Sequence, residues 1–357
     1  MEAGPPPEGR GPEKGPPQGP PTIGAVNSTT DRIRGGLLAF YRSFMFPTGE
    51  SMRRWALAAI VVNVGITVTG AAVRVTGSGL GCPTWPRCTS DSFVPTQTDT
   101  HAPLNMAIEF GNRLLSFLVL AVAVACVIAA WKLSRGEHGR PVLLRLALLQ
   151  PVGVVVQALW GGLVVHSMLN PVTVSVHFLL SIGMTAAAAG LFARAGEGDA
   201  PATRLVHRDI RTLGYVLTSA AFALLLAGVV VTGTGPHSGD DAASRFGFDI
   251  QSVVRLHTDI AYVVVGLTFA MLLALRVSDA PRPARRAALV LLAVVLSQGV
   301  VGYVQYFLAV PAALVLLHVL GATLVWICTL RVVFLLRTRG PAPVPAPERA
   351  ELHHAGV

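Results

Sequence analysis

Eight apolar stretches of roughly 20 residues constrain this chain more than any other feature. They run over residues 54–74, 104–131, 142–165, 171–193, 212–232, 251–275, 287–308 and 311–335. A helix of about 20 residues rises about 30 Å, the thickness of a bilayer's hydrocarbon core. Only 13% of the 357 residues are charged and 52% are hydrophobic, whereas an ordinary soluble protein is about 25% charged. A water-soluble globular enzyme is thereby excluded. The expected fold is an all-α integral membrane protein, an eight-helix transmembrane bundle.

Residues 1–50 begin with the tract PPPEGRGPEKGPPQGPP, which cannot bury a core, and they are expected to be disordered. The tail over 340–357, with PAPVPAP, reads the same way. No apolar h-region precedes the first span, so no cleavable signal peptide is expected.

The net charge of +9 is almost all arginine, since Lys14 and Lys132 are the only lysines. The positive residues sit in alternate loops: Arg53 and Arg54 before the first span, Lys132, Arg135 and Arg140 after the second, and Arg194, Arg204, Arg208 and Arg211 after the fourth. Arg276, Arg282, Arg285 and Arg286 follow the sixth span, and Arg337 and Arg339 the eighth. This pattern is a topology signal and not a nucleic-acid surface: it places both termini in the cytoplasm and the chain in the cell membrane.

The chain also repeats itself. Val75-Thr76-Gly77-Ser78-Gly79 resembles Val231-Thr232-Gly233-Thr234-Gly235, and Gln157, Gly161 and His177 recur at identical separations as Gln298, Gly302 and His318. Two four-span halves, 54–193 and 212–335, are expected as a parallel repeat about an axis along the membrane normal.

Polar groups inside spans are costly and usually functional. His177, His257 and His318 lie in spans four, six and eight, and span two carries Glu109 and Asn112. Each lies about five to eight residues from the outer end of its span, roughly 8–12 Å deep, so the four even spans share one polar layer. Zinc needs about four ligands, and the C-terminal half offers only His257 and His318. Haem iron needs two axial ligands in an apolar setting, so a haem held by this pair is the leading reading. The bland reading is interhelical hydrogen bonding, which suits Gln157 and Gln298 better. Arg74, Arg113 and Arg255 near the outer interface either snorkel or bind haem propionates. Glu109 is the candidate catalytic residue for proton transfer, or else a structural partner of Arg113 or Arg74. Cys82 and Cys88 lie six apart in an outer loop, in a compartment that permits a disulfide, either a staple or a redox relay.

Three segments resemble the haem A synthases of the CtaA/Cox15 family. They are Gly79-Leu80-Gly81-Cys82-Pro83 with Trp85-Pro86 and Cys88, then Gln157, Gly161, Val164, Leu169, Pro171, Val174 and His177, and the Glu109-bearing start of span two. The resemblance covers about residues 54–335. It implies two haem sites and an oxidoreductase that converts the C8 methyl of haem O to the formyl of haem A for cytochrome oxidase assembly. By the same resemblance His257 and His318 ligate a resident haem b, His177 faces substrate haem O, Glu109 is the functional glutamate, and Cys82 and Cys88 are the outer-loop pair. An electron donor is implied, with a haem O synthase partner and homo-oligomerisation as open alternatives. Asn112 departs from the family, which commonly has histidine there, so His177 alone, or Asn112 through water, would hold the substrate iron. The rivals are a membrane b-type cytochrome that only carries electrons and a transporter with a midplane polar site.

Overall fold

A computed structural model describes residues 47–96, 102–135 and 139–342 without a break, and isolated positions before them. Residues 1–41 form a separate unit, in which 33–36 are helical. Most of the N-terminal tract and the tail beyond residue 342, both expected to be disordered, lie outside the described residues.

Among the described residues eight helices are long and apolar enough to cross a membrane: α1 (Gly49–Val75), α2 (Pro103–Ser134), α3 (Pro141–His166), α4 (Pro171–Ala195), α5 (Arg208–Thr234), α6 (Ile250–Val277), α7 (Arg282–Phe307) and α8 (Ala312–Phe334). The chain is an all-α multi-pass membrane protein. Large apolar side chains such as Phe117, Leu159, Phe269 and Val300 are exposed along the helices, as lipid-facing residues must be.

Most of the helices overrun the apolar stretches that mark them, while α8 lies one residue inside its stretch at each end. α1 begins at Gly49 because Thr48 and Ser51 form a capping box. α5 and α7 start at Arg208 and Arg282, whose long stems let the helix continue into the interface. Proline in the first turn starts α2, α3, α4 and α7, where its missing N–H costs nothing. Asp249 caps α6 by accepting from the Ser252 N–H.

Packing closes two rings of four. Helix α1 packs on α2 and α4, with α3 completing the first ring, and α5 to α8 close the second in the same order. The seam is made by α1 on α8, α4 on α5 and α4 on α8. Ile182 of α4, Ala221 and Leu225 of α5, and Trp326 of α8 fill it. The apolar core of the first ring gathers Met52, Ala56, Cys126, Leu143 and Leu191 toward the arginine-bearing loops. The second ring's largest cluster, with Met271, Leu275 and Leu291, does likewise.

Two connections match in backbone detail. Met168 and Leu169 before α4 are left-handed (φ 53° and 56°), as are Ala309 and Val310 before α8 (φ 57° and 61°). On the arginine face a pair of two-residue strands, β1 (Thr203–Arg204) and β2 (Arg337–Thr338), joins the α4–α5 loop to the chain after α8. Beside them Arg140 and Arg194 are buried, with ion pairs to Asp199 and Glu197.

Candidate functional site

The polar layer lies in the half of each ring away from the arginine face, about six to nine residues into α2, α4, α6 and α8. Glycines on the odd helices make room for it. A Cβ at Gly161 would stand 3.5 Å from His177 Cε1, one at Gly228 3.3 Å from His257 Cε1, and one at Gly302 3.7 Å from His318 Cε1. Gly70 stands in the same way 4.0 Å from Asn112 Nδ2. Each polar side chain thus leans against a bare stretch of neighbouring helix.

In the second ring His257 and His318 come together, their ring centroids 6.4 Å apart and their planes inclined by 64°. Two imidazoles sharing a metal at about 2 Å per bond have centroids roughly 6 Å apart. The Nδ1 atoms of His177, His257 and His318 are all buried with no hydrogen-bond partner among the described residues. An unpartnered buried nitrogen costs about 1–3 kcal/mol, so three at one depth mark side chains arranged for a ligand. No cluster of three or more His, Cys, Asp or Glu side chains converges among the described residues, so no four-ligand zinc centre is built. An open apolar groove of about 270 Å³ lies between α5 and α6, lined by Ala227, Val230, Leu256 and Ile260 among others and by neither histidine. A pair of imidazoles with unpartnered nitrogens inside an apolar helix bundle fits a haem-type group.

In the first ring no second imidazole pairs with His177 among the described residues, and the ring's other described histidine, His166, is exposed at the end of α3. Asn112 Oδ1 accepts a 2.8 Å bond from the Thr69 hydroxyl. Glu109 is buried, accepts from the Cys82 N–H at 2.7 Å, and is ion-paired with Arg113. Arg113 in turn donates to the carbonyls of Cys82, Thr84 and Arg87. Cys82 and Cys88 are joined as a disulfide and fully buried, packed on Met106 and Phe110. Gly81 lets this loop sit on the first turn of α2, where a Cβ would meet the Asn105 carbonyl oxygen at 2.6 Å.

Residues 53–330 match the model of the COX15-CtaA family, described as "Cytochrome oxidase assembly protein". The chain belongs to the COX15-CtaA family. Among its relatives is a "Heme A synthase" of Geobacillus thermodenitrificans, 31% identical over 33% of this chain and 35% of that protein. Those of Alkalihalophilus pseudofirmus and Staphylococcus epidermidis are 26% and 24% identical, over 50% and 52% of this chain and 60% of each relative. The matched part therefore spans between about a third and three-fifths of these curated relatives.

The remaining candidates of this COX15-CtaA chain take different places. Arg74 donates to the carbonyls of Thr232 and His237, bridging the rings, while Arg255 is exposed near the start of α6. Gln157 donates to the His177 carbonyl and to Ser181 Oγ, and Gln298 lies so close to Gly321 that any Cβ there would collide with its amide. Sequence reasoning missed Thr69 and Gly228, and it named Trp85 only as part of the outer-loop motif, without a packing role. Trp85 packs where a Cβ on Gly162 would stand 2.8 Å from its ring, one residue from the glycine that faces His177. The adjacent pair Gly161-Gly162 was the available signal for Trp85. Nothing in one sequence ties Thr69 to Asn112.

Proposed function

We propose that the chain is a haem A synthase, oxidising the C8 methyl of haem O to a formyl group for cytochrome oxidase assembly. The carrying observation is the His257–His318 pair, 6.4 Å apart with unpartnered buried nitrogens, in a member of this family. When bound, haem iron supplies electron-transfer and oxygen chemistry.

The roles of the side chains follow from their settings. His257 and His318 hold a resident haem b in the α5–α8 half. His177 holds substrate haem O in the α1–α4 half. The two halves are related as parallel repeats, and the matching left-handed pairs before α4 and α8 support that relation. Arg255, exposed near the start of α6, is the candidate propionate partner in this half. Arg74 and Arg113 serve that end only by positioning the loops they bind. Glu109 moves a proton at its carboxylate in the α1–α4 half, while Arg113 and the Cys82 N–H hold it in place. Both termini and the arginine face lie in the cytoplasm and the disulfide loop outside, in the cell membrane, with a separate electron donor.

The test is a reduced-minus-oxidised spectrum of the purified protein, followed by haem extraction and chromatography. Haem b with haem O or haem A is the expected result, and His257→Ala or His318→Ala should abolish the haem b signal. Haem b alone, with no conversion of added haem O, would leave only an electron carrier. For Glu109, the conversion rate of Glu109→Gln decides: a rate within about twofold of the parent's would remove its proton-transfer role.

A further inference from the structure

The two rings offer different numbers of ligands at the same depth. In the second, α6 and α8 each present an imidazole with an unpartnered nitrogen. In the first, α4 presents His177 but α2 presents Asn112, whose oxygen is taken up by Thr69 and whose nitrogen faces Gly70. The neighbouring polar groups are also committed. Glu109 holds the Cys82 N–H and Arg113, and Arg113 holds three loop carbonyls. Gln157 keeps a buried unpartnered Oε1, but a neutral amide oxygen is a hard, weak ligand beside an imidazole for haem iron. Only His177 in this layer of the first ring carries an unpartnered ring nitrogen among the described residues.

Resting on the haem reading above, we propose that the two haem sites differ in ligand number. His177 is the sole protein ligand of the haem in the α1–α4 half, whose second axial position stays open to a small exogenous ligand such as a diatomic gas or water. The α5–α8 site, with both positions filled by imidazole, is closed to such ligands. The Thr69–Asn112 hydrogen bond maintains the difference by holding the amide against α1. Substrate oxidation and electron supply are thus separated by coordination number as well as by position.

The experiment uses the full-length protein in detergent, supplied with haemin until no more binds, reduced with dithionite and exposed to carbon monoxide. About half of the bound haem should give a carbon monoxide difference spectrum, the rest staying low-spin. Asn112→His should supply a second imidazole and abolish the gas-reactive fraction while haem content is unchanged. Asn112→Ala should leave that fraction as it is, and His177→Ala should remove it while the low-spin haem stays. Three results would overturn the proposal: two bound haems with no gas-reactive fraction, no second haem bound at saturation, or gas reactivity that survives in both Asn112→His and His177→Ala, which marks haem adhering elsewhere. A protein that binds no haem at all would instead remove the preceding functional reading along with this one.

Discussion

Glu109 joins two structures that are remote from each other in sequence. Its carboxylate accepts from the Cys82 N–H and pairs with Arg113, so it fastens the disulfide loop to α2, besides the proton-transfer role proposed for it above. The two roles separate by substitution. Glu109→Ala leaves the Arg113 guanidinium partly buried without its counter-charge and should cost about 3 kcal/mol, read as a lowered midpoint in detergent thermal denaturation. Glu109→Gln keeps the shape and one acceptor, so its stability loss should be less than half of that. If the two variants are equally destabilised, charge and not fit dominates this contact. Asn63 and Gln150 are a second buried polar pair, 2.9 Å apart between α1 and α3. Removing the amide from either should cost about 1–3 kcal/mol, because its partner is left in apolar surroundings.

At the scale of elements, α3 carries a division of labour in two adjacent glycines: Gly161 faces His177 and Gly162 faces Trp85. Gly162→Ala would push the indole by several tenths of an ångström and should cost about 1–3 kcal/mol, with a shift in tryptophan emission as the loop lifts. Gly81→Ala should be worse, because its Cβ meets backbone of α2 and not a side chain that can swing away. A melting temperature unchanged in Gly81→Ala would mean the loop docks differently. The helices and their polar layer were legible in the sequence because span length and intramembrane histidine both follow from the cost of polar groups in lipid. The Cys82–Cys88 bond was legible from spacing and compartment. What escaped were pairings with no local signature. Thr69 reaches Asn112 across 43 residues and Arg74 reaches His237 across 163, and neither leaves a periodic trace. Arg140 and Arg194 read as topology charges, yet they also anchor a buried ion network.

The whole molecule is stitched at both faces of the bundle. On the disulfide face Arg74 bonds to the carbonyls of Thr232 and His237, the Gly79 N–H donates to the Gly239 carbonyl, and His237 Nε2 is bonded to the Val310 carbonyl. On the arginine face β1 pairs with β2, and Glu197 lies within reach of Arg337 and Arg339. A site in one ring is therefore held in register with the site in the other from above and below. Arg74→Ala leaves two carbonyls without their donor and should lower stability by about 1–3 kcal/mol. Arg74→Lys should recover only part of this, since an ammonium cannot fork to two acceptors in fixed geometry. Full recovery by lysine, in the same denaturation assay, would show that charge alone holds the seam.

The burial of Cys82 and Cys88 turns their bond into a clock. Thiol–disulfide exchange requires an attacking thiolate to reach a sulfur atom, and neither cysteine is exposed. A reductant added from outside must wait for the loop to open, which means waiting for Arg113 to release its three carbonyls and Glu109 its amide. The rate of reduction at saturating reductant therefore counts openings of the loop that carries Trp85, and a ligand seated against that loop would slow the count.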